Sequence, residues 1–226
     1  MFRRGRRRGC PSRTLDGAHC RWCFGVSPTS GWCRKVECRH HTDCGYPGGT
    51  AVTARSLRTT AFASRQELAD ALQCLFVAEL LVPSTPLWIV TPWVSDVPII
   101  DNRTGQFRGL MPALPQRWIR LSEVLEQQLA RGGSLVIACR PDDHNRSFTR
   151  QLQRGIREVG REKQVRINLS AELHEKGILT ESVFLSGSMN LTYNGLRTLE
   201  EVIHLTDESD AVARARAAYQ DRWGKP

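Results

Sequence analysis

Residues 174–190 read HEKGILTESVFLSGSMN, and this run limits the fold and chemistry of the chain more tightly than any other. Its first half, Leu173 to Thr180, is mostly apolar at alternate positions, the period of a strand whose successive side chains point to opposite faces. His174 and Lys176 then share one face. After a reversal near Glu181 and Ser182, VFLSGS runs back as a second strand and ends at Gly187-Ser188, which opens the short helical-looking segment MNLTYNG. Small residues there would let backbone N–H groups of Gly187 and Ser188 approach an anion at a helix start.

The residue types suit phosphodiester chemistry. An imidazole can attack phosphorus or protonate a leaving oxygen, while the Lys176 ammonium and the Asn190 amide neutralise and orient the equatorial oxygens. This arrangement requires no metal or other cofactor for catalysis. An isolated H-x-K on a strand arises often by chance, and His174 alone would read as an ordinary half-buried histidine. The G-S-x-N run at a hairpin's distance, followed by Thr192 and the acidic pair Glu200-Glu201, makes the combination specific.

These residues resemble the phospholipase D superfamily, whose signature joins H-x-K, four residues, an acidic residue and a G-S-x-N turn. His174, Lys176, Gly187, Ser188 and Asn190 match it; the acidic position falls on Glu181 rather than aspartate, and the hairpin to Gly187 is one residue short of the usual pattern. The resemblance implies that His174 is a nucleophile forming a phosphohistidine, with a second histidine as general acid. It implies that Lys176 and Asn190 clamp the phosphate, that Ser188 donates through backbone or hydroxyl, and that Glu200 or Glu201 orients His174. His19, His40, His41, His144 and His204 lack a lysine two positions on, so the chain carries one motif copy. The superfamily's single-motif branch joins two identical subunits across a two-fold axis, so a homodimer is expected. More narrowly, residues 86–102, PLWIVTPWVSDVPIIDN, together with the motif, resemble the DpdK family of phospholipase-D-like proteins, found with bacterial clusters that place 7-deazaguanine derivatives in DNA. That resemblance spans roughly residues 60–223.

Charge is unevenly placed. Residues 1–62 hold 12 Lys+Arg and 3 Asp+Glu, whereas residues 63–226 hold 20 of each, so the whole net charge of +9 sits in the head. A basic excess draws polyanions by counterion release, but here it lies outside the body that bears the motif. Within the body, Arg150, Arg154, Arg157 and Arg161 recur at helical spacing and form either a basic stripe or a solvated face.

Residues 1–50 form a basic extension rich in Cys, Arg and His. Cys20-x-x-Cys23 has the spacing of a zinc knuckle, and Cys38 and Cys44, or His40 and His41, could complete a tetrahedral set holding structural zinc. A disordered basic tail, or an extension from a start codon placed too early, reads equally well from MFRRGRRRGCPSR. No apolar h-region follows the arginines, which argues against a signal peptide and for a reducing compartment.

From about residue 60 to 226 the chain alternates helical and strand patterns, which argues for an α/β fold with a sheet covered on both faces. Ser64 and Glu67 read as a capping box for a helix to about Leu81. Helices are also expected over 118–131, 147–159 and 209–222, and strands at PLWIVTPW, SLVIAC, VRINLS and EVIHLT. The superfamily resemblance implies the same architecture, an α/β/α sandwich with a mixed central sheet. ALQCLFVAELLV, interrupted by Glu79 and stopped by Pro83, suits a buried helix rather than a membrane span, so the protein is expected to be cytoplasmic, with no membrane partner. Trp93, Ser95 and Asp96 leave a buried strand where ligand-facing loops start, and Trp93 is either a core aromatic or a stacking residue. Asp142, Asp143 and His144 read as a solvated turn rather than a metal site.

The function expected from the sequence is a metal-independent phosphodiesterase, a nuclease acting on DNA, with other proteins of a modification or restriction cluster as partners. A lipid hydrolase and a non-catalytic DNA-binding component are the alternatives.

Overall fold

The computed structural model describes residues 54–224, apart from 61, 110 and 113; the cysteine-rich head, and with it the zinc reading on Cys20, Cys23, Cys38 and Cys44, lies outside the described residues. The elements are β1 (Ala54–Arg58), α1 (Phe62–Leu81), β2 (Leu87–Val90), β3 (Pro98–Asp101), β4 (Trp118–Arg120), α2 (Leu121–Ala130), β5 (Leu135–Cys139), α3 (Asp143–Glu158), β6 (Val165–Leu169), β7 (Gly177–Leu179), β8 (Phe184–Gly187), α4 (Tyr193–Arg197), β9 (Val202–Thr206) and α5 (Ser209–Trp223).

A seven-stranded mixed sheet runs β1-β9-β8-β7-β2-β5-β6. β2, β5 and β6 are parallel, while β7 pairs antiparallel with β2 and each following neighbour is antiparallel again. The apolar runs explain the layering, because alternate residues of a strand feed opposite cores. Leu87 and Ile89 of β2 and Leu135, Ile137 and Cys139 of β5 join one cluster with Leu72 and Phe76 of α1, Leu125 of α2 and Leu152 of α3. Trp88, Val90, Val136 and Ala138 face the other way and pack against Val212, Tyr219 and Trp223 of α5. Each such fully buried aliphatic contributes roughly 1.5–3 kcal/mol. Helices therefore cover both faces, as expected.

Several boundaries differ from the sequence expectation. The helix expected from residue 118 begins at Leu121, because Trp118–Arg120 pair as β4 with β3 in a separate two-stranded sheet. Its first turn is anchored by carboxylates: Asp96 accepts from Ser122 N at 2.9 Å and Glu123 from Arg120 N at 2.9 Å. α3 starts four residues before Ser147, since Asp142 caps it by accepting from His144 N at 2.8 Å. The Asp142-Asp143-His144 turn is thus a helix cap, and among the described residues no group of three acidic, His or Cys side chains is placed to hold a metal ion. α1 begins at Phe62, so Ser64 lies inside its first turn rather than at the cap. Within α1, the buried Glu79 accepts from Ser84 N at 2.9 Å and Ser84 Oγ at 2.6 Å, which anchors the turn that leads toward β2. Among the described residues no helix is long and apolar enough to cross a membrane.

Candidate active site

Strand register gathers the motif at one edge of the sheet. Gly177 pairs with Val90, so the residues before β7, His174 to Lys176, lie just beyond the C-terminal end of β2. Gly177 also pairs with Ser186, which carries Gly187 to Asn190 to the same edge, and Gly187 pairs with Ile203, which brings Glu201 alongside. The H-x-K segment precedes the strand, which begins at Gly177 rather than Leu173.

The hairpin between β7 and β8 is closed by Thr180, whose hydroxyl accepts from Ser182 N at 3.2 Å and Val183 N at 2.9 Å. Glu181, the departure from the superfamily pattern, serves this hairpin. Its backbone N–H donates to Ser84 Oγ at 2.7 Å, and its carboxylate meets Arg216 of α5 at 3.3 Å. Arg216 also donates to the carbonyls of Thr180 and Glu181, at 3.0 and 2.9 Å.

Gly187 has a steric role. Its φ is +148°, and a Cβ there would stand well inside the contact distance of the Val202 carbonyl oxygen and 3.0 Å from Ile203 Cα. The chain can therefore press β8 against β9 only at a glycine. The expectation that Gly187 and Ser188 offer N–H groups to a phosphate is corrected here. Gly187 N donates to Lys176 O at 3.4 Å and Ser188 N to Val202 O at 2.9 Å, so the sheet takes both. Nor does a helix open at this step, since α4 starts only at Tyr193, capped by Thr192, whose hydroxyl accepts from Gly195 N at 3.2 Å.

Glu201 is buried, whereas Glu200 is exposed. The Glu201 carboxylate accepts the Ser188 hydroxyl proton, the Ser188 oxygen accepts from Val202 N at 3.0 Å, and Glu201 N donates to Thr59 Oγ1 at 2.7 Å. Spacing alone could not choose between the two carboxylates; burial chooses Glu201, and its partner is Ser188 rather than the expected His174. His174 is exposed, and its ring forms no hydrogen bond among the described residues. Lys176 is half-buried and donates from Nζ to His174 O at 2.6 Å. Burial pulls its ammonium below the ordinary lysine range; the nearby Arg140 adds to that effect and Glu201 opposes it. Asn190 is half-buried, with its Oδ1 3.4 Å from the Thr91 hydroxyl.

The sequence reading passed over Arg140 and Asn145. Asn145 is buried and ties two loops of the edge together: its Oδ1 accepts from Val94 N at 2.8 Å and its Nδ2 donates to Pro92 O at 2.8 Å and Arg140 O at 2.9 Å. Arg140 follows β5, donates from Nε to Leu173 O at 2.8 Å, and lays its guanidinium 5.0 Å from the centroid of Trp93. A cation at the C-terminal end of a buried parallel strand is a signal the sequence carried. Trp93 is half-exposed at this edge, and Ser95 Oγ meets His144 Nε2 at 2.9 Å. Asp96, by contrast, is a packing residue that accepts from Arg120, Ser122 and Gln151, all at 2.9 Å. Of the arginine stripe, Arg150, Arg154 and Arg157 lie exposed on α3, and Arg161 falls beyond its end.

A mixed sheet, covered by helices, that brings an H-x-K and a G-S-x-N run to one edge beside a buried carboxylate defines an α/β domain with its candidate site at the strand ends. Residues 97–223 match the family described as cardiolipin synthase, PLD-like domain, and since this is more than half of the chain, the protein belongs to that family. No curated protein matches the sequence. Among solved structures, NucT from Helicobacter pylori is 13% identical, with a TM-score of 0.47 and coverage of 74% of this chain and 94% of that one. Nuc from Salmonella typhimurium, a phospholipase D family member, is also 13% identical, at 0.47, covering 76% and 93%. The polyphosphate kinase of Porphyromonas gingivalis is 14% identical, with a TM-score of 0.52 over 78% of this chain and 24% of the kinase, and so shares the fold with the domain described here.

Proposed function

We propose that the protein is a metal-independent phosphodiesterase that cleaves DNA through a phosphohistidine. The observation that carries this is the meeting of His174, Lys176 and Asn190 at one sheet edge, on a backbone fixed by Gly187, Ser188 and the buried Glu201. His174 attacks phosphorus with a ring nitrogen, forming a P–N bond as the P–O ester bond breaks. The leaving oxygen takes a proton from a second histidine, supplied by an identical subunit across a two-fold axis. Water deprotonated by that second histidine then attacks phosphorus and releases His174. Lys176 and Asn190 hold the equatorial oxygens, whose charge rises in the transition state. The exposed, unengaged ring of His174 suits a site that a second copy completes. Ser188 and Glu201 position the G-S-x-N turn rather than touch phosphate.

DNA is favoured as substrate by the resemblance to the DpdK family, which also makes other proteins of a DNA modification cluster the expected partners. A cytoplasmic setting follows from that role.

The test is cleavage of a labelled DNA oligonucleotide and of bis(p-nitrophenyl) phosphate in excess EDTA, comparing the protein with His174→Ala at matched oligomeric state by light scattering. Cleavage in EDTA that the variant loses, with acid-labile phosphate trapped on the protein, is the expected result. Loss of activity on chelation, or full activity in a strict monomer, would sink the mechanism. Binding of DNA without cleavage by either protein would favour the non-catalytic reading, and cleavage confined to phospholipid would favour the lipid hydrolase.

A further inference from the structure

We propose that Arg140, held by Trp93, is a second phosphate-binding residue that engages the phosphate next to the scissile one, so that the site takes a polymer of phosphodiesters rather than an isolated one. This rests on the phosphodiesterase reading above and adds the substrate feature that reading leaves open.

Two contacts fix the guanidinium beside the motif and a third fixes its backbone. Its Nε donates to the carbonyl of Leu173, the residue before His174, at 2.8 Å. Its plane lies 5.0 Å from the centre of the Trp93 ring, and Trp93 is itself held by an Nε1 bond to Asp142 Oδ2 at 3.3 Å. The backbone N–H of Arg140 donates to Pro92 O at 3.1 Å, which sets the residue against the loop that carries Trp93. The other side of that loop reaches the G-S-x-N half of the motif, because the Thr91 hydroxyl lies 3.4 Å from Asn190 Oδ1.

With Nε engaged, the two terminal amino groups have no acceptor among the described residues. A guanidinium presents a planar fork matched to two phosphate oxygens, and one already ordered by a ring and a carbonyl loses little freedom on binding. The cation–π contact with Trp93 favours such ordering. No ion pair closes on Arg140 or Lys176 among the described residues; Asp142 acts on Arg140 and Glu201 on Lys176 only through space, so both cations keep donors for an incoming anion. Lys176 rests on the His174 carbonyl and Arg140 on the Leu173 carbonyl, so the two cations are tied to different backbone points, one for each of two phosphates.

Nucleic acid is favoured over a two-phosphate lipid by what lies beyond. α3 starts from the loop that follows Arg140, and beyond the exposed Asp142 and Asp143 of its first turn Arg150 and Arg154 stand exposed along it, where further phosphates of a polymer can reach them. A lipid headgroup could not use them.

The experiment measures binding by fluorescence anisotropy in EDTA, in a His174→Ala background so that nothing turns over, with 5′-labelled thymidine oligomers carrying one, two or four internal phosphodiesters. In the parent, affinity should rise by about tenfold from the one- to the two-phosphodiester probe, the size of one charge-assisted contact. Arg140→Gln should remove most of that increment, and its log affinity against log salt should flatten by about 0.7 for the single strand. Arg140→Lys, with charge but no fork, should fall between. Equal melting temperatures of the variants exclude unfolding as the cause. An increment and slope kept in Arg140→Gln would overturn the proposal, as would absence of oligonucleotide binding by the parent at low salt. Loss confined to cosedimentation with cardiolipin-containing vesicles would overturn it in favour of a lipid. Failure of the phosphodiesterase reading shows separately, as no cleavage in EDTA while the increment persists.

Discussion

Gly187→Ala tests the most exacting claim about the site, that β8 and β9 approach too closely for any side chain. Its φ of +148° is a conformation that L-residues rarely adopt, which alone costs about 1–3 kcal/mol. The added methyl would collide with the Val202 carbonyl oxygen, which is backbone and cannot rotate away. β9 would have to shift, stretching the bonds Ser188 N to Val202 O at 2.9 Å and Val202 N to Ser188 Oγ at 3.0 Å, each contributing about 1 kcal/mol. Together these give a loss of about 3–5 kcal/mol, a large part of a typical domain's stability of about 5–15 kcal/mol. Gly160→Ala is the control: its φ is +65° but nothing lies within 4 Å of the added Cβ, so roughly 1–2 kcal/mol of backbone strain is expected. Urea denaturation of the three proteins gives the comparison. A Gly187→Ala loss within about 1 kcal/mol of the Gly160→Ala loss would refute the close-approach argument.

Two further substitutions test the electrostatics. Glu201→Gln keeps the shape of the residue but removes the charge that supports the Lys176 ammonium, so the Lys176 pKa should fall further and the alkaline limit of phosphate binding should move to lower pH. Affinity near neutral pH should drop about tenfold, as a charge-assisted bond to Ser188 becomes a neutral one; calorimetric titration with inorganic phosphate across pH reads both, and an unmoved limit would count against the coupling. Glu126 is pushed up to about 7 by burial and by the carboxylates of Glu123, Glu158 and Asp96. A raised carboxyl stabilises the fold fully below its unfolded value and loses that contribution as pH rises toward 7. Glu126→Gln should therefore raise the urea midpoint at pH 8 by the equivalent of about 1–2 kcal/mol, after allowance for solvent screening, and change it little at pH 4. Equal effects at both pH values would contradict the burial argument.

What the sequence made legible was whatever is written in apolar period. LWIV and LVIAC are continuous apolar runs that the sheet uses where expected, and the motif hairpin forms too, although its first strand begins only at Gly177. β1 was hidden because of its residues only Leu57 is buried, and it forms only by pairing with β9 across the whole domain. β3 and β4 depend on each other across a long connection, so Trp118–Arg120 looked like the first turn of the helix that follows. Site residues followed the same division. His174, Lys176 and Asn190 are visible in spacing, but the choice of Glu201 over Glu200 depends on Thr59, which reaches that strand from the end of β1. Arg140 and Asn145 come near the motif only through the order of strands β7, β2 and β5.

The placement of Glu201 bears on why Lys176 remains available. A carboxylate near an ammonium would ordinarily close an ion pair, leaving no net charge for a substrate. Here the Glu201 carboxylate is held by the Ser188 hydroxyl while its backbone is held by Thr59, and no ion pair joins it to Lys176 among the described residues. Its field favours the charged lysine without reaching it, and Lys176 instead rests on a neutral acceptor, the His174 carbonyl, at 2.6 Å. A phosphodiester oxygen carries charge where that carbonyl carries only a dipole, so a bound phosphate replaces the weaker partner with a stronger one. The burial that disfavours the ammonium also strengthens its attraction to a phosphate, because both effects follow from exclusion of water. The same reasoning applies to Arg140, ordered by its ring and carbonyl partners while Asp142, bonded to the Trp93 indole, acts on it only through space. On the proposed reading, both cations thus reach the phosphate as free donors, with Glu201 and Asp142 near them but in no ion pair with them among the described residues.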